Sequence, residues 1–256
     1  MQLGLVTYNW GKDWDVPTLL RNCEAAGFRG VELRSTHKHG VEPQLNERQR
    51  AEVAMRFADS PVQLVGLGSA CEYHSPDPAV LKKNIDETKD FIRLCHDVGG
   101  TGVKVRPNAL PAEVPVDKTL EQIGRALNEV AEYGAGFGIE IRLEVHGRGT
   151  QELPNIKKII DVADSPGVGI CWNCNPTDLQ GDGLKANFNL VKNRMSDVVH
   201  IHDLRNDNYP WPEFFALLRG IKYQGWTLIE EGKVPEDIVG AMKANVPIWK
   251  KLAGAA

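Results

Sequence analysis

No apolar run in the sequence approaches the roughly 18 residues that a membrane-spanning helix needs, so a span is excluded. Charge of one sign is also lacking. The 30 basic and 34 acidic residues are interspersed and leave a formal net charge of −4. Without a basic face, a nucleic-acid footprint is not expected. The opening MQLGLVTYNW does not have the basic-then-apolar layout of a secretory signal. Cysteines are few and irregularly spaced: Cys23, Cys71, Cys95, Cys171 and Cys174. An odd number in a long chain argues against a disulfide framework and for reduced thiols in a cytoplasmic setting. Low-complexity segments and linkers are missing too. The 256 residues are therefore expected to form one domain, 1–256.

What is present is alternation. Short apolar runs at 3–8, 30–33, 62–68, 102–105, 139–145, 168–172, 197–202 and 226–230 read as strands. Between and after them, amphipathic stretches at 15–27, 46–58, 78–98, 117–135, 155–163, 184–194, 210–219 and 235–252 read as helices. Asp15 is placed as an N-cap with Pro17 in the first turn, and Gly27 ends that helix. Strict alternation implies a parallel sheet with right-handed crossovers. Eight such units of about 30 residues match a closed (β/α)8 TIM barrel. The rival is an open doubly wound sheet. It usually has fewer strands and a glycine-rich first turn, whereas the first turn here reads TYNWGKDWD.

A barrel of this kind carries its chemistry at the C-terminal ends of the strands. Six of the seven histidines fall in these ends or the loops beyond, and only His96 lies on a helix. Glu144, Asn173, His202 and Glu230 each sit at or just past the last apolar residue of strands five to eight. Adjacent strands are about 4.8 Å apart, so four such side chains can converge. Two carboxylates, an amide oxygen and an imidazole suit Mn²⁺, Mg²⁺ or Co²⁺, with Zn²⁺ also accommodated. Any one of them alone could instead be a polar plug at the barrel mouth.

Lys104 and Arg106 are two apart on strand four and share a face. Burial of a cation in the helix layer is costly, so the lumen is favoured. There they could contact a phosphate, a carboxylate or an anionic intermediate, or pair with Glu32 or Glu144. Trp10 and Trp172 could stack on a substrate ring or simply cap the barrel. His146 could hydrogen-bond a substrate or support Glu144.

The segments LEVHG (143–147), VHIHDL (199–204) and YQGWTLIE (223–230) resemble the xylose isomerase-like barrels, a family of sugar isomerases and epimerases. The resemblance extends over the whole chain. It implies one divalent metal on Glu144, Asn173, His202 and Glu230, with Tyr223 and Gly225 supporting the last match. It also implies that the two glutamates move a proton, as in the ketose epimerases of the family. Two departures stand out: Asn173 replaces the usual aspartate, and Pro176 stands where many relatives have a histidine. The many ligands of the family's apurinic endonucleases are missing, which agrees with the charge balance.

Cys171 and Cys174 straddle the end of strand six. A zinc ribbon needs a second pair, and a redox pair prefers a helix start. The expected role of this stretch is to present Asn173.

The expectation is thus a metal-dependent isomerase or epimerase acting on a keto-sugar or related polyol carbonyl through an enediolate. Glu144 and Glu230 are its acid/base pair. Trp10, Glu32, Lys104, Arg106, His146 and Trp172 are its substrate contacts. A small carbohydrate is the expected partner, with assembly into a homo-oligomer possible by analogy. A lyase or hydratase using the same chemistry, and a non-catalytic sugar-binding barrel, remain alternatives. A thiol enzyme is the least favoured reading.

Overall fold

The computed structural model describes residues 1–254. Eight parallel strands form a nearly closed barrel inside eight helices. The strands are β1 (Gln2–Val6), β2 (Gly30–Arg34), β3 (Gln63–Glu72), β4 (Gly102–Arg106), β5 (Glu140–Glu144), β6 (Val168–Cys171), β7 (Val198–Ile201) and β8 (Trp226–Ile229). The helices are α1 (Val16–Ala26), α2 (Glu47–Ala58), α3 (Pro78–Asp97), α4 (Val116–Ala135), α5 (Leu153–Val162), α6 (Leu184–Val191), α7 (Trp211–Gly220) and α8 (Ile238–Ala253).

Strand order is β6-β5-β4-β3-β2-β1-β8-β7, so β1 pairs with both β2 and β8. The seam lies between β6 and β7. It is bridged by Ser196 N donating to Ile170 O (2.9 Å) and His200 N donating to Trp172 O (2.7 Å). The second bond ties His200 to the residue preceding Asn173, and both residues belong to the functional end of the barrel.

Local chemistry explains the element ends. The Asp15 side chain accepts from Thr18 N (2.9 Å), and Gly27 closes α1 at φ 81°, where a Cβ would be strained. Asn46 and Gln49 form a reciprocal capping box on α2. Several boundaries shift from the sequence reading, and two of the shifts have a local cause. Strand β3 runs on to Glu72 because Ser69 Oγ donates to Lys104 O (2.7 Å) and Glu72 N donates to Asn84 Oδ1 (2.9 Å). Helix α8 starts at Ile238 because Asp237 caps it by accepting from Gly240 N (2.8 Å).

The barrel lumen is polar, with Glu32, Lys104, Arg142, Glu144 and His200 all buried. Glycines on the strands make room for them. A Cβ on Gly102 would lie 2.3 Å from Arg142 Cζ, and one on Gly68 would lie 2.8 Å from Glu32 Oε1. Arg142 is satisfied by Glu140 Oε2 (2.8 Å), Val65 O (3.0 Å) and Thr101 Oγ1 (3.0 Å). It braces the strands beneath the carboxylates. Strand alternation makes it legible, since it stands two residues before Glu144 on the same face.

Candidate active site

At the C-terminal ends of the strands lies a cavity of about 550 Å³. Glu144, Asn173 and Glu230 line it together with Lys104, Arg106 and His146. Glu144, His200 and Glu230 each offer a ligand atom, and these atoms lie within 4.8 Å of one another. His200 Nδ1 is 3.5 Å from Glu144 Oε1 and 3.4 Å from Glu230 Oε2, and its Nε2 is 3.4 Å from Glu32 Oε1. Neither ring nitrogen has a hydrogen-bond partner, nor does Asn173 Oδ1. A buried polar atom left this way is costly unless something further is bound there. Two glutamate oxygens, a ring nitrogen and an amide oxygen converge, and the ring nitrogen becomes a ligand atom once an ion displaces its proton. This donor set fits a divalent ion.

His202 is placed differently. Its ring lies between two carbonyls, with Nδ1 2.9 Å from Glu230 O and Nε2 3.2 Å from Cys174 O. A metal ligand needs a bare ring nitrogen aimed at the carboxylates, and the structure brings His200, not His202, to them. The two histidines share a face, so alternation alone does not separate them. The difference is depth: Glu144 lies within β5, His200 lies within β7, and His202 falls just past the end of β7.

Lys104 reaches into the lumen and donates to Glu144 Oε2 at 2.8 Å, with both side chains almost fully buried. Asn173 Nδ2 donates to Glu144 Oε1 (3.2 Å). Burial alone would raise the Glu144 pKa, but Lys104 and His200 pull it well below the usual carboxylate range. Burial opposes charge on His200, yet the surrounding Cys171, Glu32 and Glu230 hold its pKa well above the ordinary imidazole value. Glu32 lies beneath the cavity, against His200, and does not line it.

A chain of hydrogen bonds fixes His146. Arg106 Nη2 and Asn108 Nδ2 both donate to Glu72 Oε1, at 2.6 and 2.7 Å. Asn108 Oδ1 is then the acceptor facing His146 Nδ1 (3.0 Å), so Nδ1 carries the proton. Burial, then the nearby Lys104 and Arg106 charges, lower the His146 pKa despite Glu144. The neutral ring therefore has a bare Nε2.

The tryptophans are structural. Trp10 is 1% exposed, and its Nε1 donates to Lys233 O (2.8 Å). Trp172 is fully buried, stacked on Phe214 at 5.8 Å, and its Nε1 donates to Tyr209 Oη (3.1 Å). Neither ring lines the cavity, so neither offers the sugar-stacking face expected of it. All five cysteines are free and buried, and burial raises the Cys174 thiol pKa well above its ordinary value. Cys174 instead contributes its carbonyl to His202, from a backbone at φ 44°.

Tyr209 Oη also donates to Asp178 Oδ2 (2.9 Å), tying Trp172 to the short 3-10 turn Pro176–Leu179. Burial, only partly offset by Tyr209, pushes the Asp178 pKa up to about 7 from 3.8. A carboxyl raised on folding does not weaken the fold below pH about 4 and weakens it as pH rises toward about 7. Asp178→Asn removes that dependence. Between pH 4.5 and 8 the variant should gain about 3 kcal/mol of stability relative to the parent in urea unfolding. A difference that does not change with pH would contradict the assignment.

The sequence profile of the xylose isomerase-like TIM barrels matches residues 20–252. The chain belongs to this family. No curated protein matches by sequence. Among solved structures, 3-keto-D-glucoside 4-epimerase YcjR from E. coli superposes with a TM-score of 0.82 at 15% identity, covering 98% of this chain and 99% of that one. The IOLI protein with a bound zinc atom gives 0.83 at 15% identity, covering 99% and 98%. An L-ribulose 3-epimerase gives 0.84 at 16% identity, covering 99% and 94%. Likeness at these identities establishes the shared barrel. No helix among the described residues is long and apolar enough to cross a membrane.

Proposed function

We propose that this member of the family is a metal-dependent isomerase or epimerase of a keto-sugar or related polyol carbonyl, working through an enediolate. The observation that carries the reading is the convergence of the buried His200 with Glu144 and Glu230, which line the strand-end cavity. The structural relatives that are sugar epimerases agree with it. Glu144, Glu230, His200 Nδ1 and Asn173 Oδ1 would hold the ion: Mn²⁺, Mg²⁺, Co²⁺ or Zn²⁺. Their geometry favours His200 over His202 as the imidazole ligand. When bound, such an ion supplies Lewis acidity at the carbonyl oxygen.

The chain's own groups divide the proton work unequally. Glu144 is stabilised as a carboxylate by Lys104 and Asn173, which weakens it as a base; it would serve the return step after taking up a solvent proton, which it then passes readily to the enediolate. Glu230 lines the cavity with no hydrogen bond to its carboxylate beyond the longer His200 contact, and it is the group that removes the proton α to the carbonyl. The bare Nε2 of His146 accepts from a substrate hydroxyl. Arg106 and Asn108 act through it by holding the tautomer.

The test is isotopic. A keto-sugar substrate incubated with the protein in D₂O should acquire deuterium at the α-carbon. The exchange should stop on removal of divalent ions and in His200→Ala, while His202→Ala retains more bound metal than His200→Ala. Product formed without solvent deuterium would sink the enediolate, and metal-dependent loss of water from the substrate would make the protein a lyase.

A further inference from the structure

Cations crowd the mouth above the carboxylates. Arg34, Lys104, Arg106 and Arg148 line the cavity, against two lining carboxylates, Glu144 and Glu230. This surplus runs opposite to the chain's formal net charge of −4. Lys104 is committed to Glu144. Arg106 donates to Glu72 through Nη2, but its Nε is buried without a hydrogen-bond partner. Among the described residues, Arg106 has its single carboxylate, while Arg34 and Arg148 enter no ion pair. The Arg34 guanidinium lies 5.3 Å over the Tyr8 ring, and its Nη1 is 3.4 Å from His37 Nε2, a neutral contact.

These arginines come from three separate places: the end of β2, the end of β4 and the loop after β5. A run of solvated charges along one helix would not surround a single cavity. Like charges sharing a concave site repel, and a cleft lined by one sign concentrates ions of the other. The guanidinium fork matches the planar oxygens of a carboxylate or phosphate, and charge-assisted bonds of that kind are the strong ones. The hydroxyls of a neutral sugar do not call for three guanidiniums.

We propose that the substrate carries an anionic group, carboxylate or phosphate, remote from its reacting carbonyl, and that Arg34, Arg106 and Arg148 receive it. This deepens the keto-sugar reading and rests on it for the location of the reacting end.

The test measures binding separately from turnover. Fructose, fructose 6-phosphate and fructuronate are titrated calorimetrically into the Mn²⁺-supplemented protein. At least one anionic probe should bind about ten- to a hundredfold more tightly than fructose, the range expected of hydrogen bonds to a charged group. A lead for fructose 6-phosphate assigns a phosphate, and a lead for fructuronate assigns a carboxylate. Arg34→Gln and Arg148→Gln should each cut that advantage by about tenfold. Arg125→Gln on α4, which removes the same charge outside the mouth, should preserve it.

Equal affinities, failure of all three probes to bind, or an advantage that survives the Arg34→Gln/Arg148→Gln double variant would overturn the proposal. The D₂O readout keeps the two failures apart. Exchange on fructose without any preference for anions leaves the isomerase reading standing and overturns the anion site. Preference for anions without exchange on any probe supports the anion site and removes the enediolate reaction.

Discussion

Replacing Glu230 by glutamine should lower turnover by about 10²–10⁴-fold and abolish solvent exchange at the α-carbon, the usual range for loss of a general base. The amide keeps an oxygen for an ion and nearly the same volume, but it cannot take a proton. The fold should tolerate the change. The Glu230 side chain is 13% exposed, and its charged contact is the 3.4 Å approach to His200 Nδ1. Unfolding stability should therefore stay within about 1 kcal/mol of the parent. Glu144→Gln should also slow turnover, for two mixed reasons: it removes a proton carrier and leaves Lys104 without its partner. Glu230→Gln is thus the cleaner variant. Turnover within tenfold of the parent would remove Glu230 from the chemistry.

Most of the barrel was legible because its signal is repeated eight times. Each strand is a short apolar run, each helix an amphipathic one, and caps such as Asp15 and Asn46 act over three residues of sequence. The positions of Glu144, Asn173 and Glu230 were legible for the same reason: strand ends mark the functional face. What the sequence could not resolve was depth. His200 and His202 share a face and differ by one layer, and the layer depends on pairing across the β6–β7 seam, where His200 N bonds Trp172 O. Trp10 and Trp172 failed as stacking surfaces because loops fold back over the strand ends. Lys233 O and Tyr209 Oη, distant in sequence, take up the indole N–H groups. Arg34 and Arg148 were passed over because a charged residue at a strand end or in a loop looks solvated until the cavity it lines is known.

Lys104→Met should destabilise the fold by about 3–5 kcal/mol, the cost typical of removing one member of a buried ion pair. Lys104 and Glu144 are 3% and 2% exposed, and the ammonium sits 2.8 Å from Glu144 Oε2. Without it Glu144 keeps Asn173 and His200 nearby, but Glu32 and Glu230 are left with less compensating charge. Two further measurements separate this electrostatic account from simple loss of packing. The double variant Lys104→Met/Glu144→Gln should lose less than the sum of the two single variants, because a pair of neutral groups replaces a broken pair. Divalent ion should also restore more stability to Lys104→Met than to the parent, since the freed Glu144 oxygen can now face the ion. An ion at about a hundred times its dissociation constant contributes about 2.7 kcal/mol to a state that binds it. Additive losses in the double variant, together with equal ion-dependent shifts in parent and Lys104→Met, would show that the lysine fills space in the lumen and does not set the charge of Glu144.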